Sequence, residues 1–357
     1  MGSTLLSICI KVITVRKYLS AVSSLCKAKK ISDPTIDEYG SRAPPIQALL
    51  HEAHRWESIP NRREPVTVPM VHHIDAAAKV DKRLGRPDSL HSAMADWVKM
   101  GLQSGFRKSE WAQDSPKFSP DFAKNVDGSA KAFILSDFEF MDKHKKRISS
   151  TSKSKLSKAQ YVTVCWRFQK NGDNGQKNTY ARGQDGAGLC YVQSAINIVL
   201  RAQRLGIPSH YPVGVYKEYH TGQIKFISSQ DVRAVLRKAA KEVHNITSPS
   251  ELARFTCHSI RVGACVLLHS AGTDFEYIKF RLRWKSDAFR MYLRNVTALA
   301  VQHAAVLDAD QLHQAEEIEE ESPNPSPPKS TKPKKGIRRL KNFLARTRWS
   351  RRLRRRN

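Results

Sequence analysis

The stretch TCHSIRVGACVLLHSAGTDFEYIKFRLRWKSDAFRMYLRN, residues 256–295, decides how the chain is read. Its pattern predicts three helices, at 256–271, 274–282 and 286–294. His258 and Arg261 stand three apart on the first helix and therefore share a face. Gly263 and Ala264 keep the backbone beyond them slim enough for a neighbouring segment to approach closely. Ile260, Val262 and Leu267 fall at core spacing, whereas Trp284 and Tyr292 lie one and two helices further on. A lone tyrosine on an amphipathic helix is ordinarily core. Tyr292 follows Trp284 by eight residues.

Working outward, residues 229–243 and 187–205 carry helical periodicity, with a short extended piece near 223–227. YVTVCWRF (161–168) alternates as a strand does, and QKNGDNGQ (169–176) holds two Asn/Asp-Gly turn signals. Residues 161–182 therefore read as a β-hairpin with an exposed tip. FILSDFEF (133–140) is strand-like, and KHKKRISSTSKSKLSK (143–158) is a loop. Two helices broken by a turn at 85–88 are expected between 66 and 105, with a helical turn at 107–113 that places Phe106 and Trp111 in the core. The prolines 34, 44, 45, 60 and 65 mark 31–65 as a linker. Before it, a helix at 14–30 is expected, with Thr14 as N-cap and Val15, Tyr18, Leu19, Val22 and Leu25 as its apolar stripe. A last helix is expected at 297–314, followed by the acidic run EEIEEE (316–321). The fold class is mainly α with a small antiparallel β-sheet, that is, α+β.

Charge points to the partner. The 357 residues hold 61 Lys+Arg against 33 Asp+Glu, a net charge of +28. Residues 323–357 contain 14 Lys+Arg and no acid, so this proline-rich then arginine-rich tail carries half the excess and is expected to be disordered alone. The remainder is still basic enough to lay a positive face on nucleic acid. No window reaches the length of a membrane span. Six cysteines without a C-x-x-C argue against a disulfide scaffold or zinc finger. The pairs His51/His54 and His72/His73 have no completing ligand set, so neither a metal nor a cofactor is expected.

The segment 256–295 resembles the tyrosine recombinase (phage integrase) family, whose signature is H-x-x-R, then His or Trp, then a nucleophilic Tyr. The wording is closest to the Cre-like branch and to recombinases of Crypton- and DIRS-type mobile elements of eukaryotes. The family has another arginine well upstream, followed by an acid. GLQSGFRKSEWAQ (101–113) supplies Gly105, Arg107 and Glu110 in that arrangement. It also has a lysine at the turn of a β-hairpin. Lys170 matches best, with Lys177 across the turn as the rival. All six positions thus occur in order over residues 107–292. One departure is visible: Leu282 and Arg283 precede Trp284, where the family often has glycine.

The resemblance implies phosphoryl transfer without a metal. Arg107 and Arg261 would each offer a planar fork of N–H donors to the non-bridging oxygens, and Trp284 a single indole N–H. Tyr292 would attack the phosphate to leave a 3′-phosphotyrosine and a free 5′-hydroxyl. Lys170 would protonate the leaving oxygen. His258 would assist proton movement at the tyrosine or hold the phosphate, and Glu110 would orient Arg107 or His258.

It also implies an organisation. Residues 1–58 would be a partial helical core-binding domain with its linker, resembling only the last part of the family's bundle. Residues 59–314 would be the catalytic domain, and 315–357 the acidic run and basic tail. The expected function is site-specific recombination of double-stranded DNA, from a mobile element, by a homo-oligomer forming a tetrameric synapse. The motif KPKKGIRR (332–339) would direct a eukaryotic chain to the nucleus. Two other readings stand beside it: a decayed or domesticated DNA-binding protein, and a type IB topoisomerase-like activity.

Overall fold

In the computed structural model, residues 11–55, 57, 62–149, 153–169, 172–183 and 188–293 are described. Lys170, the helix expected at 297–314, the acidic run and the basic tail lie outside them. The described part is mixed α and β, about half helical, with a small antiparallel sheet. No helix among the described residues is long and apolar enough to cross a membrane.

Helix α1 spans Val12–Lys29, α2 Pro44–Arg55, α3 Val68–Arg83 and α4 Leu90–Ser104. The expected turn between α3 and α4 is present: Gly85 takes a positive φ of 74°, and Ser89 caps α4 by accepting from the Ser92 N–H. Helix α4 is the central rod. It is buried along nearly its whole length, from Ser92 to Ser104. After a 3₁₀ turn at Lys108–Glu110 the chain enters the sheet, through strands β1 (Phe138–Met141) and β2 (Arg147–Ile148), the single helical turn α5 (Lys153–Leu156), then β3 (Tyr161–Trp166) and β4 (Gln176–Ala181). The sheet order is β2-β1-β3-β4, antiparallel throughout. In the hairpin Trp166 faces Gln176 and Tyr161 faces Ala181, and Val162, Val164, Trp166, Asn178 and Tyr180 make its buried face. Helix α6 (Tyr191–Arg204) packs on that sheet and on α4. Strands β5 (Val215–Lys217) and β6 (Ile224–Phe226) form a second, two-stranded ribbon ahead of α7 (Ser229–His244). The single turn α8 (Pro249–Leu252), α9 (Cys257–Ser270), α10 (Phe275–Arg281) and a 3₁₀ turn at Asp287–Tyr292 complete the described chain.

Helix α9 lies against α4 with a glycine on each side of the contact: Gly101 of α4 makes room for Ile260, and Gly263 of α9 for Leu102. A β-carbon on Gly263 would strike the Val66 carbonyl oxygen and come within 2.8 Å of Leu102 Cδ2. Val66 is itself fixed there, its N–H donating to the Ser259 carbonyl at 3.1 Å. Backbone cannot yield cheaply. Gly263→Ala is therefore expected to lower stability by about 1–3 kcal/mol, the usual range for overpacking. Helix propensity alone would raise it by up to about 1 kcal/mol. An unchanged or raised urea midpoint would contradict the packing.

Three local expectations are corrected. Helix α1 begins at Val12, not beyond Thr14, because the Glu57 carboxylate accepts from the Val12 N–H and stands in for an N-cap. Its inward face is Val12, Val15, Leu19 and Cys26, while Tyr18, Val22 and Leu25 are exposed. The stretch read as linker contains α2. Pro44 and Pro45 sit in its first turn, where a missing N–H breaks no helical bond. Of the strand expected at 133–140 only the end pairs. Asp137 accepts from the Ile134 N–H and winds Leu135–Asp137 into a 3₁₀ turn.

Candidate active site

Every described member of the expected constellation except Lys177 converges at the end of α4, the hairpin and the α9–α10 region. Helix α4 stops at Gly105, whose φ of 60° turns the chain so that Arg107 starts the 3₁₀ turn. Glu110 is buried at the end of that turn. Its Oε2 accepts from the Arg107 main-chain N–H at 2.9 Å and its Oε1 from Arg107 Nη1 at 3.2 Å. Glu110 thus holds Arg107, and among the described residues no hydrogen bond or ion pair joins it to His258.

Helix α9 is started by a reciprocal cap. Thr256 Oγ1 accepts from the His258 N–H at 3.3 Å and Ser259 Oγ from the Thr256 N–H at 3.0 Å. This puts His258 in the first turn and Arg261 one turn deeper. Arg261 is only 2% exposed. Its guanidinium donates to the carbonyls of Gly105 and Arg283, and its Cζ lies 4.3 Å from the Trp284 ring centroid. Among the described residues no carboxylate stands within ion-pair distance of it.

Helix α10 ends with the Arg283 N–H bonded to the Phe280 carbonyl (3.2 Å) and the Trp284 N–H to the Lys279 carbonyl (2.8 Å). That pair of bonds reverses the chain and lays Trp284 over Arg261. The Trp284 Nε1 is buried and has no hydrogen-bond partner among the described residues. Phe289, fully buried, anchors the 3₁₀ turn that carries Tyr292. The Tyr292 phenol lies 2.8 Å from His258 Nε2, with its ring 5.9 Å from that of Trp284.

Electrostatics sort these groups. Burial, then Arg261 and Arg63, push the His258 imidazole down from its ordinary 6.5 to about 4. Its place in the first turn of α9 opposes protonation in the same sense. The imidazole is neutral at pH 7 and, with its proton on Nδ1, Nε2 accepts from the phenol. Tyr292 is held above the usual phenol range by burial, so it is protonated and needs such an acceptor. Burial first, then Arg107 and Arg283, bring Arg261 down from 12.5 to about 9.

The imidazole of His258 makes stability depend on pH. Its pKa in the fold lies below that of the unfolded chain, so the stability its neutral form contributes is complete above 6.5 and lost as pH falls toward 4. NMR titration of its ring in the free protein is expected to give a midpoint near 4. A midpoint at or above 6.5 would contradict the buried arrangement.

Of the hairpin lysines, Lys177 projects from the exposed side of β4, opposite Cys165, and no hydrogen bond or ion pair joins it to the site among the described residues. Lys170 lies outside the described residues. Its neighbour Gln169 is buried, and its Oε1 accepts from Arg107 Nη1 at 3.5 Å. The hairpin tip is further tied to the site by the Lys285–Asp173 ion pair at 3.2 Å.

Two residues to which the sequence assigned no role lie against these groups, Gln169 and Arg283. Arg283 is fully buried and pairs with Glu110 at 2.9 Å. Two guanidinium groups therefore share one carboxylate and a third, Arg261, has none among the described residues, leaving an excess of two positive charges around an indole N–H without a partner. Excess buried positive charge of this kind is costly unless an anion offsets it.

Compared with known proteins, the chain matches no family model and no curated protein.

Proposed function

We propose that this chain is a DNA strand transferase of the tyrosine recombinase type, folded as that family's catalytic domain behind a partial core-binding domain. What carries this reading is the under-neutralised pair of half-buried Arg107 and buried Arg261 beside a phenol that is hydrogen-bonded to a neutral imidazole. A phosphodiester supplies the missing negative charge. Two guanidinium forks and the Trp284 N–H then face its non-bridging oxygens, whose charge grows as phosphorus becomes five-coordinate. Tyr292 forms the new P–O bond and gives its proton to His258, while the bond to the 5′ oxygen breaks. That oxygen takes a proton from the hairpin lysine, Lys170, and leaves as a hydroxyl. Attack by another strand's 5′-hydroxyl reverses the step, so exchange needs no ATP.

Glu110 is the only carboxylate of this cluster among the described residues, and both its oxygens are engaged by Arg107 and Arg283. A divalent ion entering this cluster would meet cations and no free ligand. The partner is double-stranded DNA, bound as a homo-oligomeric synapse, and the basic tail adds nonspecific affinity and nuclear targeting to a mobile-element enzyme. The test is covalent capture. A library of nicked duplexes with randomised sequence is incubated with the full chain in excess EDTA, and protein-linked DNA is isolated under denaturing conditions. Capture at the same rate in EDTA and in Mg²⁺ is the expected result. A reaction that stops in EDTA and returns with Mg²⁺ would overturn the proposed chemistry.

A further inference from the structure

The least expected residue in the site is Arg283. It has a φ of 58° in the left-handed region, and a side chain with no exposure at all. Glycine serves that backbone conformation without strain, and it would leave the main-chain carbonyl in place. The arginine side chain must therefore do something that glycine would not.

Its contacts show what. Nη2 pairs with Glu110 Oε2 at 2.9 Å, Nη1 donates to the Ser104 carbonyl at 3.3 Å, and the guanidinium is stacked 3.2 Å from the Trp166 ring centroid. The Glu110 carboxylate so fixed is the one that accepts from the Arg107 N–H and from its Nη1. The carbonyl of the same residue accepts from Arg107 Nη2 at 3.2 Å and from Arg261 Nη2 at 3.4 Å. One residue thus touches the aiming of both arginines, by two separable routes. We infer that Arg283 is a positioning residue of the anion site, whose side chain fixes Glu110 and thereby Arg107, and whose carbonyl sets Arg107 and Arg261 at a common point before the phosphate arrives. This rests on the proposed strand-transfer site for its catalytic consequence, but the positioning itself is a property of the free protein.

Burial lowers the affinity of the Arg283 guanidinium for its proton, and Glu110 opposes that shift. The two charges are therefore held as a pair. Arg283→Gly removes the side-chain route and keeps the carbonyl route. Lysine at 283 keeps a cation for Glu110 without the planar fork.

The experiment has two arms. In the first, guanidinium ¹⁵N NMR on the free full chain follows the rotation of the Arg107 and Arg261 side chains. In Arg283→Gly, Arg107 is expected to become mobile while Arg261 stays ordered. Both unchanged, or both mobile, would overturn the two-route assignment. The second arm measures covalent capture of a duplex recovered from the nicked library. Arg283→Gly is expected to slow capture roughly 100-fold, the cost of misaiming a catalytic group by about an ångström. Its affinity for the same duplex in the Tyr292→Phe background should fall far less than the capture rate, because a DNA duplex is held by many phosphate contacts and Arg107 supplies one of them. Arg283→Lys is expected to recover part of the rate. Added to Glu110→Gln, Arg283→Gly should cost little more, because the two act in series. Additive losses, or full activity in Arg283→Gly, would overturn the inference. Thermal unfolding checks that each variant is folded. If the wild-type chain captures no DNA, the strand-transfer reading fails while the NMR arm still decides the positioning claim.

Discussion

Tyr292→Phe is expected to bind DNA as tightly as the wild-type chain and to form no covalent adduct. The substitution deletes one oxygen, the atom 2.8 Å from His258 Nε2, and leaves the ring against Trp284. The proposed anion-binding groups Arg107, Arg261 and Trp284 are untouched, so ground-state affinity has no reason to fall. The chemical step has no nucleophile left. Side-by-side gel shift and denaturing gel on one nicked duplex check this, and an adduct of undiminished yield would remove Tyr292 from its role.

The second large effect concerns Arg261. Arg261→Met should slow capture by a factor of roughly one hundred or more, about 3 kcal/mol of transition-state stabilisation for one preorganised donor. The free protein should unfold at the same denaturant concentration or a higher one. A guanidinium this deeply buried, flanked by Arg107 and Arg283 and paired to no carboxylate among the described residues, costs folding free energy, and a flexible apolar side chain of similar length relieves it. An arginine kept for structure behaves in the opposite way, losing stability with activity. Equilibrium unfolding in urea beside capture kinetics separates the two. A markedly lower midpoint together with normal capture would show that Arg261 is a scaffold residue.

What the sequence makes legible divides along physical lines. Helices α3 and α4 and the β3–β4 hairpin announce themselves because Gly85, Gly105 and the Asn/Asp-Gly turns are needed for local reasons. The close approach at Gly263 is legible for the same reason, since only a missing β-carbon admits the Val66 backbone there. Helix α2 is hidden because its two prolines speak of a loop until they are seen in a first turn. The inward face of α1 misleads because Tyr18, Val22 and Leu25 form as good a stripe as the one that packs. A stripe alone does not say which neighbour is present.

The site divides in the same way. Arg107, His258, Arg261, Trp284 and Tyr292 are legible as residue types in order, and the fold brings them together. Arg283 and Gln169 are not, because their partners are remote. Glu110 is 173 positions from Arg283, and Arg107 is 62 from Gln169. The single local hint was an arginine where the resembled family often has glycine. Its meaning depends on a buried carboxylate that no spacing rule connects to it.

The most direct measurement of the central claim is the site of covalent attachment. Protein–DNA adducts captured from nicked duplexes are digested with nuclease and protease, and the nucleotide-bearing peptide is sequenced by mass spectrometry. The account predicts a single modified residue, Tyr292, joined to a nucleotide through its 3′ phosphate. Attachment at another tyrosine, linkage through a 5′ phosphate, or DNA bound tightly with no modified peptide would contradict it.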